Sequence, residues 1–237
     1  MKQEQELDPQ KQVQSAKPAK PQKNYYEPYI TPPVLYFALR MLAIFVFHIA
    51  NRVRLKGRYN VPRQGAFIVA ANHLSWADIP LIPMHFPRKV VYMAKEEYFS
   101  GKLAWLVRFL GSFPVKRGEG DRQALRTGEE QLKKGNILVI FPEGTRSRTR
   151  TMATAHAGMG MIALRTGTPV VPVAIWGSEN ALKKFRAPVT ISYGEPIVFK
   201  PKGKKITRAD IDEATETVMR KIAAMLPAEY RGVYGEE

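Results

Sequence analysis

The chain contains no cysteine. Disulfides, thiolate metal sites and a cysteine nucleophile are therefore excluded, and the composition fits a reducing compartment. No Gly-x-Ser-x-Gly stretch occurs, so a serine nucleophile on a strand-to-helix elbow is excluded as well. Histidine is limited to His48, His73, His85 and His156. Acidic side chains are also scarce, with 21 Asp and Glu against 37 Lys and Arg, a net charge of +16. Such an excess calls for an anionic partner or surface. It is unevenly spread. Asp and Glu are absent from Gly144 to Ser178, where Arg146, Arg148, Arg150 and Arg165 lie. Lys183, Lys184, Arg186, Lys200, Lys202, Lys204 and Lys205 then crowd around Glu195 alone. Together these favour a face that meets anionic headgroups or an anionic acyl carrier.

What is present divides the chain into a tail 1–24, a membrane-associating helical segment 25–60 and a domain 61–237. Met1 to Asn24, rich in Gln, Lys and Pro, is expected to be disordered and does not fit a signal peptide. Tyr25, Tyr26 and Tyr29 precede an apolar run, Val34 to Ala50, broken only by Arg40 and His48. This run falls just short of the ~20 residues of a typical spanning helix. Arg40 near its middle makes a clean span costly. The expected structure is a helix lying in the interface or dipping into one leaflet. Arg40 would extend its stem to the headgroups, and Arg52, Arg54 and Lys56 would act as anchors. A buried core helix is the competing reading.

From Val61 onward, β-type and helical segments alternate. Strands are expected at Ala66–Ala71, Lys89–Ala94, Phe113–Lys116, Ile137–Phe141, Val170–Ile175 and Val189–Tyr193. Helices are expected at Lys102–Leu110, Arg122–Lys133, His156–Arg165 and Arg208–Leu226. The fold class is α/β, a mainly parallel sheet flanked by helices, with no internal repeat.

Asn72-His73-Leu74-Ser75-Trp76-Ala77-Asp78 follows the first of these strands. Residues five apart in a helix face different ways, and Pro80 and Pro83 oppose a long helix. A tight turn into a short helical start would instead fold Asp78 back onto the His73 ring. The carboxylate would then fix the tautomer and leave the other nitrogen to take a proton. Ser75-x-x-Asp78 also matches a capping box, in which Asp78 merely closes a helix start. Both readings stand at this point.

Phe141-Pro142-Glu143-Gly144-Thr145-Arg146-Ser147 follows another strand. Gly144 would let backbone N–H groups approach an anion, Thr145 offers a hydroxyl, and Arg146 a planar fork matched to phosphate. Glu143 is placed to orient Arg146 by a salt bridge. An ordinary surface turn is the plain alternative. Gly111 to Arg117 is a short β-like segment ending in two cations, Lys116 and Arg117.

His73-x4-Asp78, Gly111 to Arg117, Phe141 to Arg146 and Val171-Pro172-Val173-Ala174-Ile175 occur in that order. In order and spacing they resemble the four motif blocks of the glycerolipid acyltransferases, specifically the 1-acyl-sn-glycerol-3-phosphate (lysophosphatidic acid) acyltransferases, over about Val61 to Leu182. The second block is the loosest match. The resemblance implies that His73 is the general base on the acceptor hydroxyl and that Asp78 orients it. It also implies that Arg117, Glu143, Gly144, Thr145 and Arg146 bind the acceptor phosphate, while Pro172 shapes the site wall.

The implied reaction moves an acyl group from acyl-CoA or acyl carrier protein to lysophosphatidic acid. No metal or other cofactor is needed, and the implied location is the membrane surface, at its cytoplasmic face. Glycerol-3-phosphate or another lysophospholipid is the alternative acceptor. Two readings of other classes are a basic nucleic-acid-binding protein and a non-catalytic lipid-binding scaffold. The first lacks a recognised module, so no nucleic-acid partner is expected. The second has no need of a His–Asp pair.

Overall fold

The structure is a computed structural model that describes residues 28, 32–86, 88–101, 104–116 and 121–235. The expected tail, the tyrosines Tyr25, Tyr26 and Tyr29, and Arg117 lie outside the described residues.

Helix α1 (Pro33–Ala50) starts on Pro32 and Pro33, where a fixed φ suits the first turn and a missing N–H costs nothing. Helical spacing sorts its residues into two stripes. Ala43, Ile44 and Phe47 pack on the core. Val34, Phe37, Met41, Phe45 and Ile49 form an exposed apolar stripe. Arg40 belongs to the packed stripe, and its Nε donates to the Met84 carbonyl at 2.8 Å. Its Nε is thus tied within the protein, while the guanidinium stays partly exposed with its Cζ 5.8 Å from the centroid of the Phe37 ring. Among the described residues, no helix is long and apolar enough to cross a membrane.

Strand β1 (Asn51–Lys56) follows directly. Arg52, Arg54 and Lys56 are exposed and alternate with the partly buried Val53 and Leu55. They belong to an edge strand rather than to the flank of a membrane helix, and the sheet begins ahead of the boundary drawn at Val61. The remaining strands are β2 (Phe67–Ala71), β3 (Val90–Lys95), β4 (Ser112–Val115), β5 (Ile137–Ile140), β6 (Val170–Trp176) and β7 (Ala187–Tyr193). The other helices are α2 (Asp78–Leu81), α3 (Ala104–Phe109), α4 (Arg122–Lys133), α5 (Gly158–Thr166) and α6 (Arg208–Met225). All six expected strands and four expected helices of the domain are present, with small shifts at their ends.

The sheet order is β1-β7-β6-β2-β5-β3-β4. β6, β2, β5, β3 and β4 run parallel, whereas β7 is antiparallel to β6 and carries β1 parallel to itself. Every β2 side chain is fully buried. Phe67, Val69 and Ala71 face the α1 and α2 side, while Ile68 and Ala70 face α4, α5 and α6. Burial on both faces is why β2 and β5 read as unbroken apolar runs rather than as alternating ones. Pro114 sits in β4, at the sheet edge, where a missing N–H is tolerated. Because β2 and β5 are parallel neighbours, the segments leaving their carboxyl ends emerge side by side. In open α/β sheets, ligand-binding groups gather at this position.

Candidate active site

The chain turns sharply after β2. Asn72 fixes the exit: its Nδ2 donates to the Ile175 carbonyl and its Oδ1 accepts from the Ile175 N–H, both at 2.8 Å. This buried amide continues the β2–β6 ladder by side chain where the backbone leaves it. Asp78 opens the short helix α2, and its carboxylate folds back over the turn. Oδ2 accepts from His73 Nδ1 at 2.7 Å, from the Leu74 N–H at 2.7 Å and from the Ser75 N–H at 2.8 Å. Asp78 is fully buried. One carboxylate oxygen thus holds the imidazole and closes the turn ahead of α2. The capping box does not form: the residue before α2 is Ala77, with no side-chain cap, and the Asp78 N–H donates to the Ser75 carbonyl. With the proton of His73 on Nδ1, its Nε2 lone pair is free to accept one. Ser75 is committed elsewhere, its hydroxyl donating to the Ser178 carbonyl at 2.9 Å and accepting from the Ala77 N–H.

The second stretch supports the first from β5. Phe141 lies flat on the His73 ring, with centroids 3.9 Å apart and planes 17° apart. His73 N–H donates to Glu143 Oε1 at 3.1 Å, and the Ala153 N–H donates to Oε2 at 2.9 Å. The Ser147 N–H closes the pairing on the His73 carbonyl at 2.7 Å. Glu143 is buried, and this burial pushes its carboxyl up to about 7. The Asp78 charge adds to the rise, and the bonds from Ala153 and His73 oppose it. Both its oxygens are taken by backbone donors. Among the described residues the expected salt bridge to Arg146 does not form, and Glu143 braces the His73 backbone instead.

Gly144 makes the turn with φ +67, and a Cβ there would lie 2.8 Å from His156 Cδ2. Both the backbone conformation and the space demand glycine. Thr145 is exposed beside it. Arg146 returns toward the His73 segment, its Cζ 4.5 Å from the centroid of the Trp76 ring. Trp76 in turn meets Tyr98 edge to face at 5.2 Å. His73, Asp78, Glu143, Gly144, Thr145 and Arg146 therefore share one end of the sheet. Pro172 does not join them. It pairs with Ala70 inside the sheet, and its ring is turned toward Gly194, so it belongs to the strand interior and not to the site wall.

Asn72, Trp76 and Phe141 are contributors that sequence reasoning missed, although all three lie inside the quoted motif stretches. Their signal is position, immediately beyond a buried strand or beside the base, where an amide or aromatic is otherwise unexplained.

A buried carboxylate, an imidazole held through one nitrogen and an arginine thus gather on the carboxyl edge of a parallel sheet, an arrangement that can support general-base chemistry. The acyltransferase family model matches residues 52–176. A lyso-ornithine lipid O-acyltransferase of Pseudomonas aeruginosa is 37% identical over 138 residues, 57% of this chain and 52% of that protein. A 1-acyl-sn-glycerol-3-phosphate acyltransferase of Bacillus subtilis is 30% identical over 157 residues, 64% of this chain and 77% of that one. The crystal structure of the 1-acyl-sn-glycerophosphate (LPA) acyltransferase PlsC from Thermotoga maritima matches with a TM-score of 0.60 and 30% identity. That match covers 80% of this chain and 79% of that one. The chain belongs to the acyltransferase family, within the glycerolipid branch that contains the 1-acyl-sn-glycerol-3-phosphate acyltransferases. It spans about half the length of the Pseudomonas relative.

Proposed function

We propose that the protein transfers a fatty acyl group from an acyl thioester, acyl-CoA or acyl carrier protein, to the free hydroxyl of 1-acyl-sn-glycerol-3-phosphate. The product is phosphatidic acid. The observation that carries the reading is the His73–Asp78 pair, 2.7 Å apart, with Arg146 stacked on Trp76 of the same turn. Nε2 takes the hydroxyl proton as the oxygen attacks the thioester carbonyl. The tetrahedral intermediate then collapses, the C–S bond breaks, and the thiolate leaves with the proton returned from the imidazolium. Asp78 stabilises that imidazolium. Arg146 supplies the charge-assisted contact to the acceptor phosphate, with Gly144 and Thr145 beside it. A base and electrostatic help suffice for this step, so no metal or other cofactor is invoked. The names of the Bacillus and Thermotoga relatives support this acceptor.

A second reading follows from the Pseudomonas relative, whose name gives lyso-ornithine lipid as its acceptor. The base chemistry would be the same, and only the acceptor headgroup would differ. The exposed stripe of α1 supports work at a membrane surface, with the helix lying in the interface. Incubating purified protein with acyl-CoA or acyl carrier protein and with each acceptor in turn tests both readings. Acylation of lysophosphatidate, with little or none of lyso-ornithine lipid, supports the first. The reverse preference replaces it with the second.

A further inference from the structure

A cleft of about 640 Å³ opens well away from His73 and is lined by Arg40, Arg58, Tyr59, Val61, Arg63 and His85. β1 runs antiparallel to β2. Arg58, just beyond β1, and Arg63, just ahead of β2, therefore lie at the amino end of β2, the end opposite the catalytic turn. Between Glu27 and Asp78 the chain has no Asp or Glu, while it carries Arg40, Arg52, Arg54, Lys56, Arg58 and Arg63. Among the described residues, none of the three cleft arginines is paired with a carboxylate. Arg40 is pinned by the Met84 carbonyl. His85 lies among these charges with its Nε2 buried and without a hydrogen-bond partner among the described residues. Burial, with Arg58, His48 and Arg40 adding to it, pushes its imidazole down to about 4. The ring is therefore neutral at pH 7 and can donate one N–H.

We propose that this cleft is a second anion site that holds the phosphate of an anionic phospholipid headgroup, distinct from the acceptor phosphate bound near Arg146. Guanidinium groups present paired donors matched to phosphate oxygens, and an anion relieves the mutual repulsion of cations held together without a carboxylate. The choice of a lipid follows from Arg40. It sits on α1 beside the exposed apolar stripe of Val34, Phe37, Met41, Phe45 and Ile49, its Cζ 5.8 Å from the centroid of the Phe37 ring. The cleft thus borders the element that meets the bilayer, and the assignment rests on the interfacial reading of that helix.

The test is flotation of the full-length protein with phosphatidylcholine vesicles, alone or with phosphatidylglycerol added. Arg58→Gln/Arg63→Gln alters two exposed side chains, and Lys133→Gln/Lys134→Gln removes the same charge from another exposed site, at the end of α4 on the other face of the sheet. The cleft variant is expected to lose about tenfold or more in affinity for the anionic vesicles. It should keep wild-type binding to phosphatidylcholine and wild-type melting. The control variant should lose less than about twofold. Equal losses in the two variants, or none in the cleft variant, overturn the site. Displacement of wild type from anionic vesicles by millimolar inorganic phosphate, at an ionic strength matched with chloride, assigns the cleft to free phosphate and overturns the lipid source. A wild-type protein that floats with neither vesicle refutes the interfacial reading of α1 itself.

Discussion

Trp76 carries the Arg146 guanidinium on its ring face at 4.5 Å, so the residue three positions after His73 positions the cation delivered from β5. Among the described residues no carboxylate is paired with Arg146. A carboxylate there would compete with a phosphate, whereas an aromatic face leaves the fork open.

This arrangement predicts a graded pair of effects. Arg146→Ala removes a charge-assisted bond worth about 1.5–3 kcal/mol, and should raise the acceptor KM by about 10- to 100-fold with little change for the acyl donor. Trp76→Leu removes only the platform, worth about 0.5–1 kcal/mol, and should raise the same KM by about 2- to 5-fold. Saturation curves for both substrates read the difference. A donor-specific effect would place Arg146 on the thioester carrier.

Asp78→Asn separates orientation from folding. Asparagine keeps an oxygen that can accept the Leu74 and Ser75 N–H groups, but it loses the charge that stabilises the imidazolium. The expected outcome is a drop in kcat of about 10²-fold or more with a modest change in melting temperature. If melting falls and kcat does not, Asp78 only closes the turn.

Glu143 gives a pH-dependent signature in stability. Its folded value of about 7 lies above the ordinary 4.5. The folded state therefore binds the extra proton, and this contribution is complete below about 4.5 and lost as pH rises through about 7. Relative to Glu143→Gln, wild type should lose stability between pH 5 and pH 7, by at most about 1.4 kcal/mol per pH unit. Melting curves of both proteins across that range test this. A constant difference would mean that Glu143 does not titrate there.

For α1, replacing Met41 and Phe45 with serine should weaken vesicle binding by about 10²-fold or more, since each side chain buries about 1.5–3 kcal/mol of apolar surface in lipid. High salt should weaken attachment of the intact protein without abolishing it. Complete release by salt alone would mean that the apolar stripe does not enter the bilayer.

The parts legible in the sequence were those with a strong local signal. β2 and β5 are unbroken apolar runs bounded by turn residues, and the His73 and Glu143 stretches sit directly on their carboxyl ends. β1 was hidden because Arg52, Arg54 and Lys56 resemble the basic flank of the preceding helix, while Val53 and Leu55 alternate over too short a span to stand out. The inward bond of Arg40 depends on Met84, and the bonds of Glu143 on His73 and Ala153. Such partners are set by tertiary approach, which residue type and spacing do not encode. Pro172 carries a motif position without a site contact, its ring being used against Gly194 within the sheet.

The central claim is that His73 is the base for acyl transfer, and it is tested most directly by the turnover of His73→Ala with lysophosphatidate and an acyl thioester in lipid or detergent. A protein that melts like wild type and forms phosphatidate about 10²- to 10⁴-fold more slowly is the predicted result. Turnover near the wild-type rate by the well-folded variant would contradict the account.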